Sequence, residues 1–133
     1  MVVVVIMGLL AALSLPAFQR ARRRAQAAAL TNDFRQFDAA FQRYLLENGQ
    51  TPGTSMIGVT PAGMAGYLPT AYLRPSPLGG GYLWSGPSAN IVLIGSSADD
   101  LVMQLVDAAL DDGNLASGNF TKINANMYGM WVH

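Results

Sequence analysis

The first eighteen residues constrain this chain more than any other stretch. The run MVVVVIMGLLAALSLPAF carries no charge, and Ser14 is its only polar side chain. A helix of this composition has no face that favours water, so it needs lipid or the interior of a protein assembly. We therefore predict that the rest of the chain is carried on this segment. A basic cluster follows directly, formed by Arg20, Arg22, Arg23 and Arg24.

Length and charge limit the possible functions. With 133 residues the chain has room for one domain, and a small core remains possible once the apolar start is set aside. Seven of the eight basic residues lie before residue 75, and five of the eight acids lie after residue 98. The basic cluster is short and adjoins a membrane-like segment, so no specific nucleic-acid site is expected. Without cysteine, the chain has neither disulfides nor thiolate metal sites.

The apolar start has three possible interpretations. A secretory signal peptide places its positive charges before the apolar run, whereas here the arginines follow it. An ordinary transmembrane helix needs about 20 apolar residues, and this run is marginally short, with Gly8 and Pro16 inside it. The third interpretation is a membrane helix that later packs inside a fibre. Pro16 removes one helical hydrogen bond, so the interval from Gly8 to Pro16 is where such a helix could loosen.

The stretch VVVVIMGLLAALSLPAFQRAR resembles the N-terminal signature of type IV pilins and type II secretion pseudopilins. The resemblance rests on Gly8, Pro16, Phe18 and the basic stretch behind them, closely over roughly the first 25 residues. It is specific for the superfamily and not for one member. In the family the mature chain begins a few residues earlier, with a phenylalanine and then a glutamate. We therefore expect that this sequence starts inside the mature chain.

The resemblance implies a filament subunit whose main partner is itself. It also implies contact with the inner membrane before assembly, with a prepilin peptidase and with the assembly machinery. The product would be an extracellular type IV pilus-like filament, or a periplasmic pseudopilus in the alternative. A membrane-tethered binding module that never polymerises is the alternative from another class. We assign the filament core and the loosening of the helix to Val2, Val5, Gly8, Leu9, Leu13, Pro16 and Phe18.

Within the superfamily, a major pilin-like subunit is favoured. The second half of the chain does not show the calcium-loop sequence of the major pseudopilin, and it lacks the paired C-terminal cysteines of many pilins. It also has no obvious insertion specific to a filament tip. Adhesion, twitching motility, DNA uptake and secretion all use such fibres, and the residues do not choose among them.

Residues 17–47 are predicted to continue the same helix. Apolar and aromatic residues recur there at spacings of three and four, which places them on one stripe. Gly49 and Pro52 then end the helix, which would be about 70 Å long at 1.5 Å per residue. Half of such a helix should protrude from a head of this size. The predicted head core on this stripe is Leu30, Phe34, Phe37, Phe41 and Tyr44.

The arginine cluster has two interpretations. The positive-inside rule would place it in the cytoplasm. The resemblance implies the opposite side, with the orientation set by a cleaved basic leader. In a fibre these arginines would pair with Asp33, Asp38 or Glu47 of neighbouring subunits, or contact lipid headgroups.

The remaining chain predicts a small mixed head. Residues 48–80 are rich in glycine and proline and also apolar, which indicates an ordered loop, with one helical turn near residues 61–67. Residues 81–85 and 90–95 predict a hairpin. Residues 98–112 predict a second helix, capped by Ser96 or Ser97. Its apolar residues are Leu101, Leu105 and Ala108 or Ala109 on one face, with Val102, Val106 and Leu110 beside it.

A last strand is predicted over residues 127–133, giving an antiparallel sheet of three or four strands. The predicted fold class is therefore α+β: a long N-terminal helix packed at its C-terminal half on a small antiparallel sheet, with a second short helix. The predicted division is a hydrophobic stalk over residues 1–24 and a globular head over 25–133, in which 25–47 are the second half of the helix and 81–133 hold the sheet.

Few residues of the sequence indicate a metal-binding or catalytic site. An oxygen-rich patch over Asp111, Asp112 and Asn114, with Asn119 near it, is a weak calcium candidate, although its spacing is not that of an EF-hand loop. A capped helix end followed by a turn explains the same residues. The single histidine is His133, so a catalytic triad or a histidine metal cluster is not available. We therefore predict no enzyme activity, no catalytic residues and no cofactor other than this candidate calcium.

Overall fold

The computed structural model describes residues 1–95 and 100–132 and confirms the predicted α+β class. A long helix α1, Val2–Asn48, is followed by a short 3₁₀ helix, Thr70–Leu73, and then by the elements of the sheet. The strands are β1 (Gly81–Ser85), β2 (Asn90–Ile94), β3 (Phe120–Asn124) and β4 (Met127–Trp131), and a second helix, α2 (Asp100–Leu110), lies between β2 and β3.

The helix α1 has 47 residues, which makes it about 70 Å long. It ends where the sequence predicts, because Gly49 adopts the left-handed conformation with φ of 71° and donates its amide hydrogen to the Leu45 carbonyl. Pro16 lies inside the helix without interrupting it. The buried residues of α1 all lie in its second half, between Ala27 and Phe41. Half of the helix therefore extends away from the core.

The sheet is antiparallel throughout, in the order β1-β2-β4-β3. Consecutive strands form the two hairpins β1–β2 and β3–β4, and β2 pairs with β4 in the centre. The outer edge of β1 is covered, because Ser55 and Gly58 donate their amide hydrogens to the carbonyls of Trp84 and Tyr82. Covering an edge strand in this way protects it from pairing with another chain. The glycine- and proline-rich segment is thus an ordered part of the head.

An aromatic network joins α1 to the sheet. The Phe34 ring meets Tyr82 and Phe120 edge-on at centroid distances of 5.8 and 5.3 Å. Phe41 stacks on Trp84 at 4.0 Å, and the Trp84 indole nitrogen donates to the Pro52 carbonyl at 3.0 Å. Edge-on and stacked pairs stabilise a core beyond the area that they bury, so this network fixes the helix on the sheet.

Three details of the head differ from the sequence prediction. The short helix lies at Thr70–Leu73, whereas residues 61–67 form turns, because Gly63 and Gly66 both take positive φ. Strand β3 was not predicted, because apolar and polar residues do not alternate regularly in its sequence, FTKIN, and because it follows a polar, glycine-containing stretch. The second strand was predicted over residues 90–95 and ends at Ile94. The last strand was predicted over residues 127–133 and ends at Trp131.

The buried face of α2 is shifted from the predicted face of Leu101 and Leu105 to the neighbouring positions, which include Val102 and Val106. Val102, Met103 and Val106 are the buried apolar residues of this helix, whereas Leu101 and Leu105 are 51% and 42% exposed. The helix is apolar on most sides, so its sequence does not identify one stripe. The predicted caps, Ser96 and Ser97, the first two residues of the predicted helix and His133 lie outside the described residues.

Candidate functional site

The stalk, residues 1–24, is the largest exposed apolar surface in the described structure. Its large apolar side chains are all exposed; Leu13, for example, is 76% accessible and Phe18 is 66%. Soluble monomers rarely present a contiguous apolar surface of this size. By length and composition α1 could cross a membrane, and none of its most apolar 18-residue window is buried against the head. The residues assigned to a filament core, from Val2 to Phe18, all lie on this surface.

The middle of the stalk has fewer helical hydrogen bonds than the rest of it. Pro16 has no amide hydrogen to donate to the Ala12 carbonyl. The hydroxyl group of Ser14 donates to the Ala11 carbonyl at 3.0 Å, a local bond that competes with the helical pattern. Gly8 lies about two turns before Pro16, and apart from its chain neighbours and the nearby backbone of the helix itself, no described atom lies within 4 Å of the position that a Cβ there would occupy. The helix is continuous through this interval, and its loosening inside a fibre stays a prediction.

A groove runs between α1 and α2 where the stalk enters the head. Arg20, Arg23 and Arg24 line it on the α1 side, and the exposed Leu101 and Leu105 line it on the α2 side. Further along, Arg35 donates from its guanidinium to the carbonyl of Ala109 at 2.9 Å, near the end of α2. This groove combines an apolar surface with several guanidinium groups, which suits a carboxylate or phosphate group next to an apolar chain.

The three acids predicted to pair with arginines of neighbouring subunits each have a partner in their own chain. The Asp33 carboxylate accepts a hydrogen bond from the Tyr82 hydroxyl at 2.9 Å, and Asp38 accepts one from the Gln42 amide at 2.9 Å. Glu47 accepts hydrogen bonds from the hydroxyl of Tyr67 and the guanidinium of Arg43. Partial burial raises the pKa of Asp33, against the opposing effects of the Tyr82 hydrogen bond and the Arg74 charge.

The predicted head-core residues lie together on the sheet side of α1. Leu30, Phe34 and Phe37 are fully buried, and Phe41 is almost so. Tyr44 lies at the edge of this core, half-buried, with its ring edge-on to Tyr67 at 5.5 Å. Its hydroxyl lies 2.8 Å from where a Cβ on Gly63 would be, so the loop passes close to this ring.

An acidic cluster lies at the C-terminal end of α2. Carboxylate oxygens of Asp107, Asp111 and Asp112, one from each residue, lie within 4.8 Å of one another. The weak calcium candidates Asp111 and Asp112 are therefore close together, whereas the Asn114 side chain accepts a hydrogen bond from the Ala116 amide at 3.1 Å. Sequence reasoning missed Asp107. Its spacing could have indicated it, because Asp107 precedes Asp111 by four residues and Asp112 by five. At this spacing the three acids lie close together at the end of one helix.

Asp107 differs from the other two acids in its environment. Its side chain is fully buried, while those of Asp111 and Asp112 are exposed. Burial, together with the negative charges of Asp112 and Asp111, raises the pKa of Asp107 from 3.8 to about 6. Hydrogen bonds from Ser117 and from the Asn114 amide lower the pKa of Asp112.

Comparison with known proteins adds no relative. The chain matches no family model, no curated protein and no solved structure. The assignment of a function therefore depends on the residues and contacts described above.

Proposed function

We propose that this chain is the structural subunit of a type IV pilus-like helical filament. Copies would be held in the inner membrane by the stalk and then assembled with their stalks bundled in the centre and their heads outside. A periplasmic pseudopilus is the alternative assembly with the same subunit design. The proposal takes its family from the resemblance of residues 2–22 to pilins and pseudopilins.

The observation that carries the proposal is the division of α1 into two unlike halves. The second half buries its aromatic stripe against the sheet, whereas the first half leaves large apolar side chains in the open. Each square ångström of apolar surface removed from water contributes on the order of 25 cal/mol. A bundle of stalks would remove much of this surface, and so would a bilayer. Both environments fit a subunit that is stored in one and then transferred to the other.

The interval from Gly8 to Pro16 favours a subunit that polymerises over a permanent anchor. A permanent anchor gains nothing from a helix that lacks a hydrogen bond at Pro16 and has the most flexible residue, glycine, two turns before it. A helix that must change its packing partners, and its axial rise, can use such a weak interval. This argument supports the filament over the membrane-tethered binding module.

The test is electron microscopy of producing cells with the gene present, deleted and restored. We expect surface fibres only where the gene is present. Leu13→Asp places a charge on the exposed stalk and should abolish the fibres. The matched control is Met56→Asp, which changes an equally exposed apolar residue on a loop of the head and should leave fibres intact. Fibres that persist without the gene, or that are insensitive to Leu13→Asp, would count against the proposal. Membrane-bound chains with no fibre would favour the tethered module.

A further inference from the structure

The acidic cluster of the head has a geometry that the filament proposal does not use. Its three carboxylates come from the last turn of α2 and the residues after it, at positions 107, 111 and 112. Two oxygens that share one cation are separated by at most twice the metal–oxygen distance, which is about 4.6–5.2 Å for calcium. The separation of 4.8 Å or less within the cluster satisfies this limit.

The second observation is the buried carboxylate of Asp107, which lacks a hydrogen-bond donor among the described residues. Both side-chain oxygens of Asp107 are inaccessible, and neither accepts a hydrogen bond of ordinary geometry from residues 1–95 or 100–132. The Asp112 carboxyl and the Gly113 backbone amide influence its pKa in opposite directions, the first raising it and the second lowering it. An ionised carboxylate in such a place is costly unless a positive charge or a proton neutralises it. A cation between the three acids would neutralise it.

The loop after α2 holds the two exposed acids in place. The backbone N–H of Asn119 donates to Asp111 Oδ2 at 2.5 Å. The backbone N–H of Asn114 donates to Asp112 Oδ1 at 2.9 Å, and the Ser117 hydroxyl donates to Asp112 Oδ2 at 2.6 Å. These bonds use part of the acceptor capacity of each carboxylate, because an ionised carboxylate offers about four lone-pair sites. The positions of the candidate ligands are thus fixed before any ion arrives.

Gly118 makes room for this arrangement. A Cβ at this position would lie 1.8 Å from Asp111 Oδ2, and the residue has a φ of +83°. Any other residue would displace the Asp111 carboxylate or strain the loop. The loop therefore passes against Asp111 at a distance that only glycine permits.

We propose that Asp107, Asp111 and Asp112 bind one hard divalent cation, of the calcium and magnesium class. Three carboxylates and no nitrogen or sulfur ligand suit such an ion. The ion would link α2 to the loop that leads into β3 and so tie the helix to the edge of the sheet. This site is independent of the proposed filament function, because it lies wholly within one head.

The experiment uses the full chain in detergent micelles, stripped of metal with a chelator and dialysed. Calorimetric titration with CaCl₂, MgCl₂ and MnCl₂ should show one site per chain. The thermal midpoint should rise by about 5 °C or more for each tenfold increase of free cation above the dissociation constant. Equal thermal midpoints in chelator and in millimolar concentrations of all three cations would overturn the proposal, and the buried carboxyl would then be neutralised by a proton alone.

Two variants locate the site. Asp107→Asn keeps the shape of the side chain and removes its charge, so it should weaken cation binding at least tenfold while the metal-free protein becomes no less stable at pH 7. The matched control is Asp100→Asn, on the same helix, whose carboxylate pairs with Lys122 at 2.8 Å and accepts from Tyr128. The control should keep the cation response of the unmodified chain. An undiminished response in Asp107→Asn, or one lost equally in Asp100→Asn, would overturn the assignment.

Discussion

The two halves of α1 are one continuous helix, yet they meet opposite environments. Residues after Ala27 pack Leu30, Phe34 and Phe37 against the sheet until no side-chain surface remains accessible. Residues before Phe18 present valines and leucines of similar apolarity with nothing packed on them. Helix formation alone therefore does not decide burial. The head provides a partner for one half of the helix, and the other half has no packing partner among the described residues.

The largest effect should come from separating the halves. A fragment that begins at Ala25 retains the aromatic stripe and loses the exposed apolar segment, so we expect a soluble monomer that unfolds cooperatively without detergent. The full chain should require detergent or lipid. Size-exclusion chromatography and thermal unfolding followed by circular dichroism check both. An unfolded fragment, or one that still binds membranes, would mean that stalk and head are not separable units.

Matched alanine substitutions in the two halves should have unequal effects. Phe34→Ala removes a fully buried ring in contact with Tyr82 and Phe120 and should cost about 3–5 kcal/mol of unfolding free energy. Leu13→Ala removes an exposed side chain and should leave the stability of the head unchanged. Denaturant unfolding of both variants in the same detergent measures the difference. Similar losses would show that the stalk contributes to the fold of the head.

A smaller effect is expected at the hydrogen bond between the Tyr82 hydroxyl and Asp33. Tyr82→Phe removes the donor and should cost about 1 kcal/mol at pH 7, where the carboxylate is ionised and half-buried. Burial raises the pKa of Asp33 in the folded protein, so its ionised form opposes folding and the Tyr82 hydrogen bond relieves that cost.

The cost of Tyr82→Phe should therefore shrink as the pH falls through the folded-state pKa of Asp33, because a protonated carboxyl no longer needs this donor. Unfolding of variant and parent between pH 3 and pH 7 measures the difference. A pH-independent difference would mean that the Tyr82 hydroxyl contributes equally to stability whether Asp33 is ionised or protonated, which would contradict this coupling.

The smallest effect on the head should come from the weak interval of the stalk. Gly8→Leu combined with Pro16→Ala restores helix-forming residues and should leave head stability unchanged, since neither position contacts the core. If the chain forms fibres, this variant should alter their yield or their extension under force. Unaltered fibres would remove the argument that this interval loosens during assembly.

The fold was predictable where one local signal dominated. The recurrence of apolar residues every three or four positions along α1, the stop at Gly49 and the hairpin over β1 and β2 each follow from residues close together in sequence. Strand β3 was not predictable in this way, because its extended conformation depends on pairing with β4. The face predicted for α2 is next to the one that is buried, because several sides of this helix are apolar and only packing against α1 and the sheet selects Val102 and Val106.

The candidate sites also differ in how far they can be predicted from local sequence. The apolar stalk is visible in the sequence because it is a contiguous run. The acidic cluster was predicted only in part. Asp111 and Asp112 stand out because they are adjacent, whereas Asp107 looks like an ordinary polar residue of an amphipathic helix. Its burial depends on how α2 lies in the head, which the sequence pattern of α2 does not determine.

In the proposed filament the stalk forms the interior of the assembly and the head its exterior. The chain has no cysteine, so Leu13→Cys and Met56→Cys each introduce a single thiol. Material sheared from producing cells, free of membrane, is treated with a water-soluble maleimide before and after dissociation in detergent and denaturant. The thiol at position 56 should react at once, and the thiol at position 13 should react only after dissociation. Equal labelling of both thiols in the sheared material, or a chain found only in the membrane fraction, would contradict this arrangement.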